Sequence, residues 1–140
     1  MRLSHSLVDF YEKYLFRYLG AFYIWNQAME MAVETFEGGV AVVRLTGRLD
    51  IAGAEKIDLH FSVISGAHRK VIVDLEKVTF LASMGVRTLI VGARSIRSKG
   101  GKAALLNPNT DVEKVLTDTG TDTLMPIVHD FAAALHAVQG

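Results

Sequence analysis

Lys70-Val-Ile-Val-Asp-Leu75, followed closely by Val78-Thr-Phe-Leu-Ala-Ser-Met-Gly-Val86, is the stretch on which the fold turns. Its first part is a short apolar run of the kind found in a strand covered on both faces. The apolar period then changes: Val86, Leu89, Ile90, Ala93 and Ile96 form a helical stripe that stops before Gly100-Gly101. A strand therefore leads into a helix, and the same unit recurs on either side. Toward the N-terminus, Val40-Ala-Val-Val-Arg-Leu-Thr46 follows Gly38-Gly39 and reads as the second strand of a hairpin begun at about 33–36. Ile51, Ala54, Ile57, Phe61 and Ile64 then keep helical spacing between Asp50, the expected N-cap, and Gly66, the expected C-cap. Toward the C-terminus, Ala103-Ala-Leu-Leu106 reads as a strand, 111–119 as a short helix ended by Gly120, 125–128 as a weak strand and 130–138 as a last helix. Alternating strands and helices predict an α/β fold: a mainly parallel sheet of four to five strands, right-handed crossovers and about four helices. The N-terminal hairpin makes the sheet mixed.

Half of the 140 residues are hydrophobic, enough for one compact core with an appendage and too few for two ordinary domains. Fifteen basic and fifteen acidic side chains balance to zero, so no net field draws the chain to nucleic acid. The absence of cysteine excludes disulfides, thiolate chemistry and Cys-type zinc sites, and suits a cytoplasmic location. Asp9, Glu12, Lys13 and Arg17 interrupt the early apolar residues, so no secretory pattern is expected.

Aromatic residues crowd into the first thirty positions (Phe10, Tyr11, Tyr14, Phe16, Tyr18, Phe22, Tyr23, Trp25), which sets residues 1–30 apart from a domain at 31–140. Leu7, Tyr11, Tyr14, Tyr18 and Trp25 keep helical spacing, and Leu15, Leu19 and Phe22 widen the apolar face. A helical extension of this kind must bury itself against something. Residues 10–25 fall short of the roughly 20 apolar residues of a membrane span, so no transmembrane segment is expected. The readings that remain are docking on the domain, a homodimer through residues 7–25, a membrane-surface helix, or a natural start at Met29 or Met31; docking and dimerisation rank first.

Few side chains are spaced for chemistry. His5, His60, His68, His129 and His136 include no pair one helical turn apart, so no metal site is expected. Gly100-Gly101-Lys102 lacks both the earlier glycine of a phosphate loop and the Ser/Thr after the lysine, where Ala103 stands. No nucleophile elbow and no dinucleotide fingerprint occur, and Asp50 and Asp74 are explained by capping and solubility. The chain is therefore expected to lack catalytic residues and a cofactor and not to be an enzyme.

One polar residue stands out. Ser83 falls at or beside the start of the helix that carries Val86, where its hydroxyl as an N-cap would contribute about 1 kcal/mol. A helix start also tolerates a phosphoryl group well, because unpaired amides and the positive dipole end face it. Such a group would add roughly two negative charges to a rim and repel a docked partner.

Five segments in order resemble the landmarks of the STAS domain: Leu45-Thr-Gly-Arg-Leu-Asp50, Val71-Ile-Val-Asp-Leu75, Val78 to Gly85, Gly100-Gly-Lys-Ala-Ala-Leu-Leu106, and Val115-Leu116 with Gly120. The resemblance covers about 31–140 and points to the bacterial anti-sigma-factor antagonists. It implies docking on an anti-sigma factor that is also a serine/threonine kinase of the histidine-kinase-like ATPase type, and phosphorylation of one serine to break that complex. Ser83 occupies the serine of the family's D-S-[ST]-G motif, Gly85 its glycine, and Asp50 an aspartate beside the phosphosite. Ala82 replaces the motif aspartate and Met84 the second hydroxyl residue; the first change removes a carboxylate, the second adds a flexible apolar contact. The implied binding rim comprises Thr46, Gly47, Arg48, Asp50, Ala82, Ser83, Met84, Gly85 and Arg87. The alternative is a constitutive adaptor in a lipid-transport or stressosome-like complex, with Ser83 left unphosphorylated.

Overall fold

In the computed structural model, which describes residues 29–139, five strands lie side by side in the order β1 to β5. The strands are β1 (Glu30–Phe36), β2 (Val40–Leu49), β3 (Lys70–Leu81), β4 (Lys102–Leu106) and β5 (Ile127–Val128). Between them run α1 (Ile51–Ala67), α2 (Ser83–Ser98), α3 (Thr110–Asp118) and the single turn α4 (Thr121–Leu124), and α5 (Phe131–Gln139) follows. β1 and β2 pair antiparallel through a connection in which Gly38 and Gly39 both take positive φ; every other pair is parallel. The mixed, mainly parallel sheet matches the expectation. The helical reading of residues 7–25 lies outside the described residues.

Period-two alternation sorts the strand residues to two faces. Val43, Leu45, Val71, Val73, Leu75 and Leu105 meet Ile57 and Phe61 of α1, Leu89 and Ile96 of α2, and Leu116 of α3 in the larger core. Val40, Val42, Ile72, Ala104 and Leu106 meet Ala134 and Val138 of α5 in the smaller one. Phe36 and Phe131 close its edge with ring centroids 5.3 Å apart. Each buried Val, Leu, Ile or Phe contributes about 1.5–3 kcal/mol, so β2 and β3, apolar on both faces, anchor the domain.

Several boundaries differ from the expectation, among them the end of β2, which runs on from Thr46 to Leu49, and the start of β5, at Ile127. β1 starts three residues earlier, with Met29 already buried in the larger core. β3 continues to Leu81, because Thr46 to Leu49 pair with it through two register shifts although Glu76, Lys77 and Thr79 break the apolar pattern. Gly66 does not end α1; it stays helical, and His68 caps in extended conformation with its backbone N–H on the Ile64 carbonyl at 3.1 Å.

Candidate partner-binding site

β2 and β3 end at the same edge of the sheet, and α1 and α2 begin there. The Ala82 amide donates to the Leu49 carbonyl at 3.0 Å, tying the start of α2 to the end of β2. Gly85 makes the approach feasible: a Cβ there would lie 2.5 Å from the Leu49 carbonyl oxygen. Gly53 does the same for α1, where a Cβ would lie 2.1 Å from the Arg48 carbonyl oxygen. Residues 47–50 and 82–87 are thereby held as neighbours.

Asp50 caps α1, its carboxylate accepting from the Gly53 amide at 2.9 Å. That bond, above all, holds the Asp50 carboxyl below its ordinary range; partial burial opposes the shift and Arg48, 3.4 Å away, adds to it. The Arg48 guanidinium also lies over the Phe80 ring at 4.3 Å from its centroid, an arrangement worth about 0.5–1 kcal/mol at an exposed site. Gly47 sits at positive φ where the β2–β3 register shifts, and its carbonyl accepts from the Thr79 hydroxyl. Asp50 and Arg48 thus form a fixed acid–base pair on the rim.

The start of α2 is built differently. Ala82, in extended conformation, occupies the N-cap position, and no side chain accepts from the amides of the first turn. Ser83 is not the N-cap that local pattern favours but the first helical residue, with its side chain exposed. The reason is the Ala82–Leu49 bond, which fixes where the strand conformation stops. Met84 is half-buried, its carbonyl accepting from the Thr88 hydroxyl at 3.2 Å. Arg87 is exposed one turn beyond Ser83.

Thr46 stands apart from this group. It lines a shallow cleft with Glu30, Arg44, Asp74 and Lys77, where Arg44 pairs with both Glu34 and Asp74. Phe80, 40% exposed, is a rim residue absent from the sequence-based set. Its place outside follows from its pairing with Arg48 across the register shifts, one position before the buried Leu81.

The arrangement offers an accessible hydroxyl, two exposed guanidinium groups and a helix start lacking a side-chain cap. Comparison with known proteins agrees with this architecture. The anti-sigma F factor antagonist of Lysinibacillus sphaericus is 30% identical over 94 residues, covering 66% of this chain and 80% of that one. The protein of the same name from Paenibacillus polymyxa is 26% identical over 99 residues, covering 69% and 85%. The solved structure of the Bacillus cell fate determinant SpoIIAA in its phosphorylated form superposes with a TM-score of 0.61 at 27% identity, covering 76% and 98%. The model of the STAS domain matches residues 32–134, from within β1 into α5 and across both rim segments, and on this ground the chain belongs to the STAS domain family.

Proposed function

We propose that this protein is an anti-sigma-factor antagonist: it binds a cognate anti-sigma factor of the histidine-kinase-like ATPase type through the rim at 47–50 and 82–87, and phosphorylation of Ser83 ends the complex. The observation that carries the reading is the exposed Ser83 at the first position of α2, one turn from Arg87 and directly after Ala82, whose amide is bonded to Leu49 between Arg48 and Asp50. The named function of the two bacterial relatives and the phosphorylated state of SpoIIAA support it. On this reading the chain is a cytoplasmic binding protein and performs no catalysis itself.

The physical logic is electrostatic. Unmodified, the rim presents a neutral hydroxyl, the apolar Met84 and two cations that a partner can cover. A phosphoryl group adds about two negative charges where amides and the helix dipole stabilise them, so the free protein tolerates the modification while the docked interface does not. Ala82 contributes no carboxylate to oppose the incoming charge.

The test is incubation with the kinase and ATP, read by intact mass and by binding. One phosphate on Ser83 with loss of binding is expected, and Ser83→Ala should bind and resist release. Full binding by Ser83→Glu together with an unmodified Ser83 would overturn the switch.

A further inference from the structure

We infer that residues 7–25 of this chain fold back onto an apolar shelf formed by the outward side of α1. α1 is apolar on two sides. Ala54, Ile57 and Phe61 face the core, while Leu59 and Val63 are 73% and 60% exposed. Ala52, Leu59, Val63 and Gly66 share the outward side at helical spacing, and all four are exposed. Among the described residues nothing covers this outward side of α1, and an exposed apolar surface of this kind marks a docking site.

The entry point of the chain selects the occupant. Met29 is 1% exposed, and a Cβ on Gly53 would lie 3.2 Å from the Met29 Cβ, so the preceding residues emerge beside the first turn of α1. Residues 26–28 then span about 10 Å, enough to pass round the helix, and residues 7–25 as a helix would be about 28 Å long against about 25 Å for α1. Running antiparallel, Trp25, Tyr18, Tyr14 and Tyr11 have the same intervals as Ala52, Leu59, Val63 and Gly66. In that register the largest ring lies over an alanine and Tyr11 over a glycine, so bulk meets space at both ends. Asp9, Glu12, Lys13 and Arg17 cancel in charge, leaving no basic face to favour a lipid surface over the protein. The short connection also gives the segment an effective concentration in the mM range, which favours its own domain over a second copy.

Trp25 is the only tryptophan and reports directly on the contact. In the dilute full-length protein its emission is expected to be blue-shifted and shielded from acrylamide. Leu59→Glu with Val63→Glu should shift it to the red and raise quenching severalfold while far-UV circular dichroism keeps the folded domain signal. Independently, because the chain has no cysteine, Tyr18→Cys with Leu59→Cys should oxidise to an intrachain disulfide that runs as a monomer on a non-reducing gel. A water-exposed Trp25 in the unmodified protein, or no intrachain disulfide, overturns the inference. So does shielding that grows with protein concentration alongside a dimer, which assigns the shelf to a second copy, or shielding that appears only with phosphatidylglycerol vesicles, which assigns the segment to a membrane.

Discussion

α1 and α2 start within hydrogen-bonding reach of the same strand end, yet their first turns are finished in different ways. At α1 a carboxylate accepts from the Gly53 amide and is itself held by Arg48. At α2 an alanine stands in the capping position and no side chain accepts from the first amides. Both starts are equally fixed in place, since Gly53 and Gly85 each let the helix backbone press against the end of β2. Packing therefore sets position at both sites, while polarity is completed at one and left open at the other. The open one carries Ser83.

The largest effect should come from breaking the shared element. Gly53→Ala and Gly85→Ala each force a methyl group into a backbone carbonyl, and each should cost about 3 kcal/mol, read as a lowered urea midpoint. Similar losses would sustain the view that both starts are fixed by packing. A loss at Gly53 alone would break the comparison, because it would mean that the start of α2 can shift.

How these features were legible in the sequence follows the same division. The Asp50 cap was readable because it is local: a carboxylate three residues before the amide it accepts from, at the head of an apolar helical stripe. The alternation of strands and helices was readable for the same reason. The placement of Ser83 was readable only to within one residue, since the boundary is set by Ala82 bonding to Leu49, more than thirty positions away. The extension of β3 and the exposure of Phe80 were hidden because they depend on pairing with 46–49 across two register shifts. Gly66 misled because glycine marks a helix end only where φ turns positive, and here it does not. The one-turn α4, with its polar Thr121-Asp122-Thr123, has no periodic signal at all.

The caps themselves give the next effects. Asp50→Ala should cost about 1 kcal/mol, and Asp50→Asn much less, since asparagine caps as well as aspartate does. The pH dependence separates the two contributions. The folded-state pKa of Asp50 is lowered, so the stabilisation due to its charge is fully present above the ordinary carboxylate value of 3.8 and is lost as pH falls through the lower folded value. The gap between wild type and Asp50→Asn should therefore be level near neutrality and close below about pH 4, and solvent screening of the exposed part of the carboxylate keeps it small. Conversely, Ala82→Ser supplies the missing acceptor and should raise the melting temperature by an amount corresponding to about 1 kcal/mol. If it does not, the α2 amides are satisfied by water and the contrast between the two helix starts carries no energetic weight.

The smallest expected stability change is the most informative about function. Ser83→Asp places a negative charge in the first turn of α2, where the helix dipole and open amides should make it stabilising by about 0.5 kcal/mol at low ionic strength. Salt should erode that gain, as the Debye length shrinks to about 3 Å at 1 M. The same substitution adds charge at the centre of the proposed rim and should weaken partner binding by far more than it alters folding. Opposite signs in the two measurements are what separate an interface residue from a structural one: a variant that folds slightly better and binds much worse has lost the contact and not the domain. If binding instead follows stability in sign, Ser83 acts only on the helix, and the open start of α2 is a feature of folding alone.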